Sequence, residues 1–188
     1  MLRSLITASA IVIAGATLAT AGTKWQANVV PTTAAAPTLS NKSKASMDDK
    51  GKVQVNLQDV TDAVGLVNGD GSFTAKTAPA LSGDEYVAIV TGKFLALGVT
   101  FEFALPIELK KGKGSAKIDA SSLFNLIPPG LLKSIEVQGA KVYGPLGAAN
   151  VVACTALLNS AIPRVNLPPA PNPCQAGALI GTTGIQLP

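Results

Sequence analysis

The feature that most constrains the fold of this chain is a strict alternation that runs from Val99 to Lys110. The odd positions are apolar, while polar or small residues and one proline, Pro106, fill the even positions. Successive side chains of a β-strand point to opposite faces of a sheet, so the pattern predicts a strand with one face in a core and one in water. Because Pro106 cannot donate a backbone hydrogen bond, we expect a sheet edge or a bend there.

Other segments also indicate strands. Apolar and polar residues alternate over 53–58, whereas residues 86–91 are apolar on both faces. The basic turn 110–114 is followed by a new alternation over 116–119, which predicts a β-hairpin with the strand before it. A further apolar run covers 151–158, and residues 184–187 are expected to add a last short strand.

The segment from Ile135 to Val142 changes its parity at Gly139. Apolar residues occupy odd positions before this glycine and even positions after it. A β-bulge at Gly139, which inserts one extra residue into the strand, would keep both halves facing the same core.

These segments predict a mainly all-β domain, built as an antiparallel β-sandwich or partial barrel of about seven short strands. One short helix is expected over 120–127. Asp119 is placed to cap it, and Pro128-Pro129-Gly130 must end it.

The first 21 residues have the organisation of a secretory signal peptide. Arg3 provides a positive charge, an uncharged apolar run extends from Leu5 to Leu18, and Ala19 and Ala21 are the small residues that signal peptidase requires. We expect cleavage after Ala21; the alternative is a retained single-pass anchor, although the run is shorter than the roughly 20 residues that span a bilayer. The sequence therefore predicts export to the periplasm, the cell surface or the extracellular space.

Residues 22–52 are predicted to form a flexible linker, and residues 53–188 a β-rich globular domain. The linker prediction depends on the lack of a periodic apolar face in this segment, whose ordering would cost entropy without compensation. The remaining length suits one domain with its own core.

Cys154 and Cys174 both lie in the part of the chain that is expected to be exported. Thiols are normally oxidised outside the cytosol, so a structural disulfide between them is expected. The absence of a Cys-x-x-Cys spacing argues against a redox-active pair. The bridge would stabilise its proline-rich loop by roughly 3 kcal/mol.

The chain contains no histidine, which excludes Ser-His-Asp and Cys-His nucleophile sites, most catalytic zinc sites and histidine-ligated haem. Nucleotide-binding motifs are also absent. The formal net charge of +4 is spread along the chain and is too weak for a nucleic-acid partner. We therefore expect no cofactor, no metal and no nucleic acid.

Carboxylates offer the main alternative chemistry, because a glycosidase needs two acids across a cleft. Three acids, Glu102, Glu108 and Glu136, fall on the polar faces of predicted strands, where acids usually serve solubility. The remaining acids considered for such a pair are Asp84, Glu85 and Asp119.

The most apolar stretch outside the strands and the leader is Leu123–Leu132. It packs under the sheet or forms a contact surface, and in the second case Phe124, Leu131 and Leu132 are the candidate contact residues. The occupant of that surface would be a protein partner, a second copy or a membrane. The basic turn with Lys110, Lys111 and Lys113 would add attraction to an anionic surface.

The sequence thus predicts an exported, non-catalytic β-domain that acts in binding or structural assembly. A carboxylate-type hydrolase on a β scaffold is the first alternative, and a peripheral lipid-binding protein is the second.

Overall fold

The computed structural model describes residues 23–32, 37–61, 66–67, 73–74, 83, 85–119, 122, 134–159 and 172–183. Within these residues lie ten strands, one α-helix and the 3-10 helix Pro173–Gln175. The strands and the helix are β1 (Thr23–Pro31), β2 (Lys44–Asp48), β3 (Lys52–Leu57), β4 (Leu66–Val67), β5 (Phe73–Thr74), β6 (Glu85–Phe94), β7 (Val99–Glu108), β8 (Gly114–Asp119), β9 (Ile135–Gly144), α1 (Ala148–Asn159) and β10 (Ala178–Thr183).

Eight strands form one antiparallel sheet in the order β7-β6-β9-β10-β1-β2-β3-β8. The sheet curls until its two edges, β7 and β8, approach each other, but only an isolated bridge between Lys110 and Lys113 joins them. We call this interruption the seam. The result is a nearly closed barrel, which confirms the prediction of a mainly all-β partial barrel. Strands β4 and β5 pair with each other outside this sheet.

The strand registers define two ends of the barrel. At one end, Phe94 pairs with Val99 and with Ile135, and the four-residue turn 95–98 projects beyond them. The starts of β1, β3 and β9 and the end of β8 lie at this same end, which we call the leucine end. At the opposite end, the turn 109–113 joins β7 to β8; we call it the lysine end.

The interior of the barrel is filled by apolar side chains. The inward residues of β7 from Phe101 to Leu109 are at most 2% exposed, as the alternation predicts. The rings of Phe94 and Phe101 lie 4.6 Å apart, and those of Phe101 and Phe103 lie 6.2 Å apart. Gly92 lies under this cluster, because a Cβ there would come within 2.5 Å of the Phe101 ring. The core thus occupies the space in which a wider barrel would hold a ligand.

A second apolar layer covers the outer faces of β6 and β7. The apolar run over 151–158 forms part of α1, whose buried residues Val151, Cys154 and Leu158 follow helical spacing. They pack on Val87, Ile89 and Ala104. This layer explains why β6 is apolar on both faces and why Ala104, an even position of β7, is buried.

The predicted disulfide is confirmed. Cys154 of α1 and Cys174 of the 3-10 helix are bonded, with Cα atoms 4.7 Å apart, and both are fully buried. The bond fastens the returning chain to α1 and indicates an oxidising, non-cytoplasmic environment. Within the described residues, no helix is long and apolar enough to cross a membrane.

The predicted β-bulge in β9 is also confirmed. The register with β6 passes from Thr91 opposite Gly139 to Gly92 opposite Val137, so Gln138 is the extra residue. Val137 and Ala140, on either side of the bulge, are both 3% exposed. Pro106 lies on the edge strand β7, where its missing donor interrupts no ladder within the sheet.

The prediction of a flexible linker over 22–52 is wrong for two parts of this segment, because β1 and β2 lie in it. Both strands are inner members of the sheet, where each is paired on both sides. Their apolar positions are few, such as Ala45 and Met47 in β2. They become ordered because ladders on both sides satisfy their backbone, and the ladder between β1 and β10 joins segments far apart in the sequence, which no local pattern reveals.

The predicted hairpin between β7 and β8 is wrong as well. The turn forms, but β8 pairs with β3 over six residues, from Lys52 opposite Asp119 to Leu57 opposite Gly114. The short helix expected over 120–127 lies outside the described residues except for Ser122, as do the leader and the strand expected over 184–187.

Candidate functional site

The turn at the lysine end holds two lysines side by side. The Lys110 amide donates to the Lys113 carbonyl at 2.7 Å, and the Lys113 amide donates to the Lys110 carbonyl at 3.1 Å. Lys111 and Gly112 complete the tight turn with positive φ angles. Leu109 is fully buried beneath it, whereas the side chains of Lys110 and Lys113 are exposed. The core therefore fixes a turn that presents two ammonium groups to solvent.

A groove of about 640 Å³ opens on the outer surface where the seam meets this turn. Gly114 and Ser115 lie along the groove. Position 114 requires glycine, because a Cβ there would come within 2.7 Å of the Glu108 carbonyl oxygen. Four parts of the chain line the groove, with Asn56, Leu57 and Gln58 at the end of β3, Pro106 and Glu108 on β7, Lys110 and Lys113 in the turn, and Gly114 and Ser115 on β8.

The polar groups of this groove are mostly not engaged with each other. Among the described residues, the one salt bridge joins Lys42 to Asp59 at 3.9 Å, so Lys110, Lys113 and Glu108 form none. With two cations and one anion, the groove has an excess of positive charge. Side-chain amides and a hydroxyl complete it, which suits a polar ligand that carries an anionic group.

A side chain of α1 closes the edge of β7 next to the seam. The Ala104 amide donates to Asn159 Oδ1 at 2.8 Å, and Asn159 Nδ2 donates to the Ala104 carbonyl at 2.9 Å. The Asn159 amide thus bonds to β7 as a neighbouring strand would. Two positions further on, Pro106 offers no donor, so the middle of this edge cannot accept another strand. A ligand at the seam would therefore contact the side chains of the groove and not the backbone edge of β7.

The acids considered for a hydrolytic pair do not converge in the groove. Glu108 alone of them lines it, although Glu85 is its register partner on β6. Glu102 accepts a hydrogen bond from Thr91 at 3.3 Å. The other two described acids, Asp119 and Glu136, belong to the leucine end, and Asp84 lies outside the described residues.

The predicted contact residues Phe124, Leu131 and Leu132 also lie outside the described residues. The chain on either side of them, at Asp119 and Ser134, is described and lies at the leucine end. The basic turn is at the lysine end, away from Asp119 and Ser134. The physical reason is that β8 follows the basic turn in the sequence and runs from the lysine end to Asp119 at the leucine end.

Two exposed leucines at the leucine end were missed by the sequence reasoning. Leu95 and Leu97 belong to the β6–β7 turn and are 57% and 55% exposed. The available signal was the uninterrupted apolar run over 94–99, which contains the turn-forming Gly98. The groove residues Asn56, Gln58 and Ser115 had no such signal, because tertiary folding alone brings them together.

Within the described part of the chain, no three potential ligands cluster to hold a metal ion. No known protein family matches this chain, and neither a curated protein nor a solved structure is similar to it. Its function must therefore be argued from the geometry of the two barrel ends.

Proposed function

We propose that this protein is an exported, non-catalytic barrel domain that acts by binding, and that the groove at the lysine end is its binding site. The observation that carries the proposal is the pair of exposed lysines, Lys110 and Lys113, held together across one backbone bridge without an acidic partner. The bridge fixes the backbones of the two lysines side by side, so that their ammonium groups can together attract a carboxylate or a phosphate.

The packing of the barrel supports a site on the outer surface. Large side chains such as Tyr86, Phe101 and Phe103 occupy the interior and are at most 2% exposed. A ligand would have to displace this core to enter, at a cost of several kcal/mol. The groove requires no such rearrangement, and its amides from Asn56 and Gln58 can donate to a bound polar partner.

Export is part of the same proposal. The Cys154–Cys174 bond fits an oxidising compartment, and the leader predicted over residues 1–21 would direct the chain there. The periplasm, the cell surface and the extracellular space all meet this condition. A partner with an anionic group is available in each of them.

The carboxylate hydrolase is the second candidate, and one observation favours it. Glu85 and Glu108 are cross-strand neighbours at the lysine end, and Glu85 Oε2 has no hydrogen-bond partner within the described structure. Binding is the better proposal because Glu85 does not line the groove, so the groove does not bring the two acids together across a cleft as hydrolysis requires.

Charge reversal in the groove tests the proposal. The protein would be recovered from its native host with bound partners, alongside the Lys110→Glu/Lys113→Glu variant. The control is Lys141→Glu, which changes an exposed lysine of β9 outside the groove. We expect the partner to be lost only with the groove variant, while all three proteins keep the same melting temperature.

Equal partner recovery from all three proteins would contradict the proposal. The Glu108→Gln variant separates the two candidate functions, because it removes a carboxylate that a hydrolase needs and that anion binding does not. If Glu108→Gln abolished turnover of a recovered glycan, the hydrolase would replace the binding proposal.

A further inference from the structure

We propose that the leucine end of the barrel docks on a lipid bilayer by inserting Leu95 and Leu97 of the β6–β7 turn. This inference goes beyond the proposed binding function, which concerns the opposite end of the barrel.

The first observation is the concentration of exposed apolar surface. Four large apolar side chains are exposed among the described residues, and two of them, Leu95 and Leu97, share one four-residue turn. The other two, Val30 and Val152, stand singly on β1 and α1. Residues 94–99 contain no charged or polar side chain. Single exposed valines need no explanation, whereas two leucines at the tip of a hairpin indicate a contact surface.

Most backbone amides of the turn already donate hydrogen bonds within the protein. The Leu95 amide donates to the Ser134 carbonyl at 3.0 Å, and the amides of Leu97 and Gly98 donate to the Phe94 carbonyl at 3.1 and 2.8 Å. An unsatisfied amide is costly in lipid, so a turn with three of its four amides already bonded enters the interface at a lower cost. The ten-residue ladder between β6 and β7 makes the tip rigid.

The charges of this end favour apolar insertion over electrostatic recognition. Its described residues include four lysines and four acids, namely Lys24, Lys50, Lys52 and Lys93 with Asp48, Asp49, Asp119 and Glu136. This balance gives no net attraction to a charged partner. Lys93 directly precedes the apolar run and can extend its ammonium group to the headgroups while its stem lies against the acyl chains.

The described chain around one apolar segment also lies at this end. Residues 120–133 leave the described chain at Asp119 and rejoin it at Ser134, both at the leucine end. This segment contains Leu123–Leu132, the most apolar stretch of the sequence outside the strands and the leader. An end to which apolar sequence is connected on both sides suits a bilayer.

A second copy of the chain fits this end less well. A specific protein interface buries roughly 800 Å² on each partner. Two leucines that are already about half buried supply only a fraction of that area. A bilayer has no such minimum, because the energy of insertion grows with each apolar group that enters.

The first experiment places a polarity-sensitive fluorophore at Leu97→Cys, with Val152→Cys as the matched control. Both proteins would be labelled without reductant, so that the Cys154–Cys174 bond stays closed. They would then be mixed with vesicles of phosphatidylcholine, and with vesicles of equal parts phosphatidylcholine and phosphatidylglycerol. We expect a blue shift at position 97 alone, of equal size in both vesicles and insensitive to salt. No shift at position 97, or an equal shift at position 152, would overturn the proposal.

The second experiment measures vesicle flotation of Leu95→Ser/Leu97→Ser against Val30→Ser/Val152→Ser. We expect the turn variant to partition at least about tenfold more weakly, because two leucines are removed, and the control to float like the unchanged protein. Unchanged flotation of the turn variant would overturn the proposal. So would sedimentation data in which the turn variant dissociates a dimer without losing vesicle binding. The Lys110→Glu/Lys113→Glu variant should float normally, which separates this proposal from the binding function of the groove.

Discussion

The two ends of the barrel are built from similar turns but differ in chemistry. The turn 95–98 at the leucine end and the turn 110–113 at the lysine end each connect consecutive strands through tight hydrogen-bonded backbone. The first presents Leu95 and Leu97, with lysines and acids in balance around it. The second presents Lys110 and Lys113 beside a polar groove. The described residues of the lysine end include five lysines and three acids.

The difference indicates that one filled barrel can hold two independent contact surfaces. Because the core spans both ends, neither surface needs its own folding energy. We expect the leucine end to bind in a salt-insensitive way and the lysine end in a salt-sensitive way, since exposed charges are screened and apolar burial is not. The predictions below test how independent the two ends are.

The largest effect should come from the core that both ends share. Phe101→Ala, near the leucine end, and Leu109→Ala, near the lysine end, should each lower the free energy of unfolding by about 3 kcal/mol or more. Each variant should still unfold in one transition, measured by circular dichroism in denaturant. The control Glu102→Ala, on the outer face between them, should change stability by less than about 0.5 kcal/mol. Separate transitions for the two ends would contradict a shared core, because the ends would then be independent folding units.

The next largest effect concerns the disulfide beside α1. Cys154→Ala/Cys174→Ala should destabilise the protein by roughly 3 kcal/mol, since the bridge constrains a loop of 20 residues in the unfolded chain. Vesicle association at the leucine end should persist at temperatures where the variant is folded. Loss of that association in the folded variant would show that the two regions are coupled.

A smaller effect is expected at the seam. Asn159→Ala removes two hydrogen bonds to the exposed edge of β7 and should cost about 1 to 3 kcal/mol. The control is Asn150→Ala, which loses only the bond to the Leu146 carbonyl within the start of α1. The Asn159 variant should stay monomeric in light scattering, because Pro106 still blocks the middle of this edge. A variant as stable as the Asn150→Ala control would show that the two hydrogen bonds do not hold α1 to β7.

The prediction with the smallest expected effect on folding concerns cleavage at the N-terminus. The exported protein should begin at or near Gly22, because Ala19 and Ala21 satisfy the rule for signal peptidase. Mass spectrometry of the exported product measures this directly. A product that retains Met1 would contradict the prediction and would mean that the apolar run Leu5–Leu18 tethers the leucine end to the membrane.

Much of the barrel could be predicted from local sequence. The alternation over 99–110 identified β7 and its buried face, and the parity change at Gly139 identified the bulge. Both succeed because the side chains of a strand alternate between core and solvent, whatever its neighbours are. The disulfide followed from two cysteines in a chain expected to be exported, where no other pairing exists.

The neighbours of each strand were decided only by the tertiary structure. The sequence around the turn 110–114 has every feature of a hairpin, yet β8 bonds to β3, and β1 and β2 form strands from segments with few apolar residues. A strand's ladder depends on which distant edge is free to bond, and the side chain of Asn159 occupies part of the edge of β7. Pairing of this kind is a property of the assembled sheet and leaves no mark in a short window of sequence.

The two candidate sites also differ in how much of them the local sequence revealed. The local apolar run that contains Leu95 and Leu97 was present in the sequence, but its position at the end of a rigid hairpin became visible only in the fold. The groove of Asn56, Glu108 and Ser115 could not be predicted, since it joins β3 to β7 and β8, which lie much further along the chain. The sequence by itself therefore determined which residues face the core. Tertiary pairing decided which surface residues meet, because contacts between distant segments depend on the closure of the whole barrel.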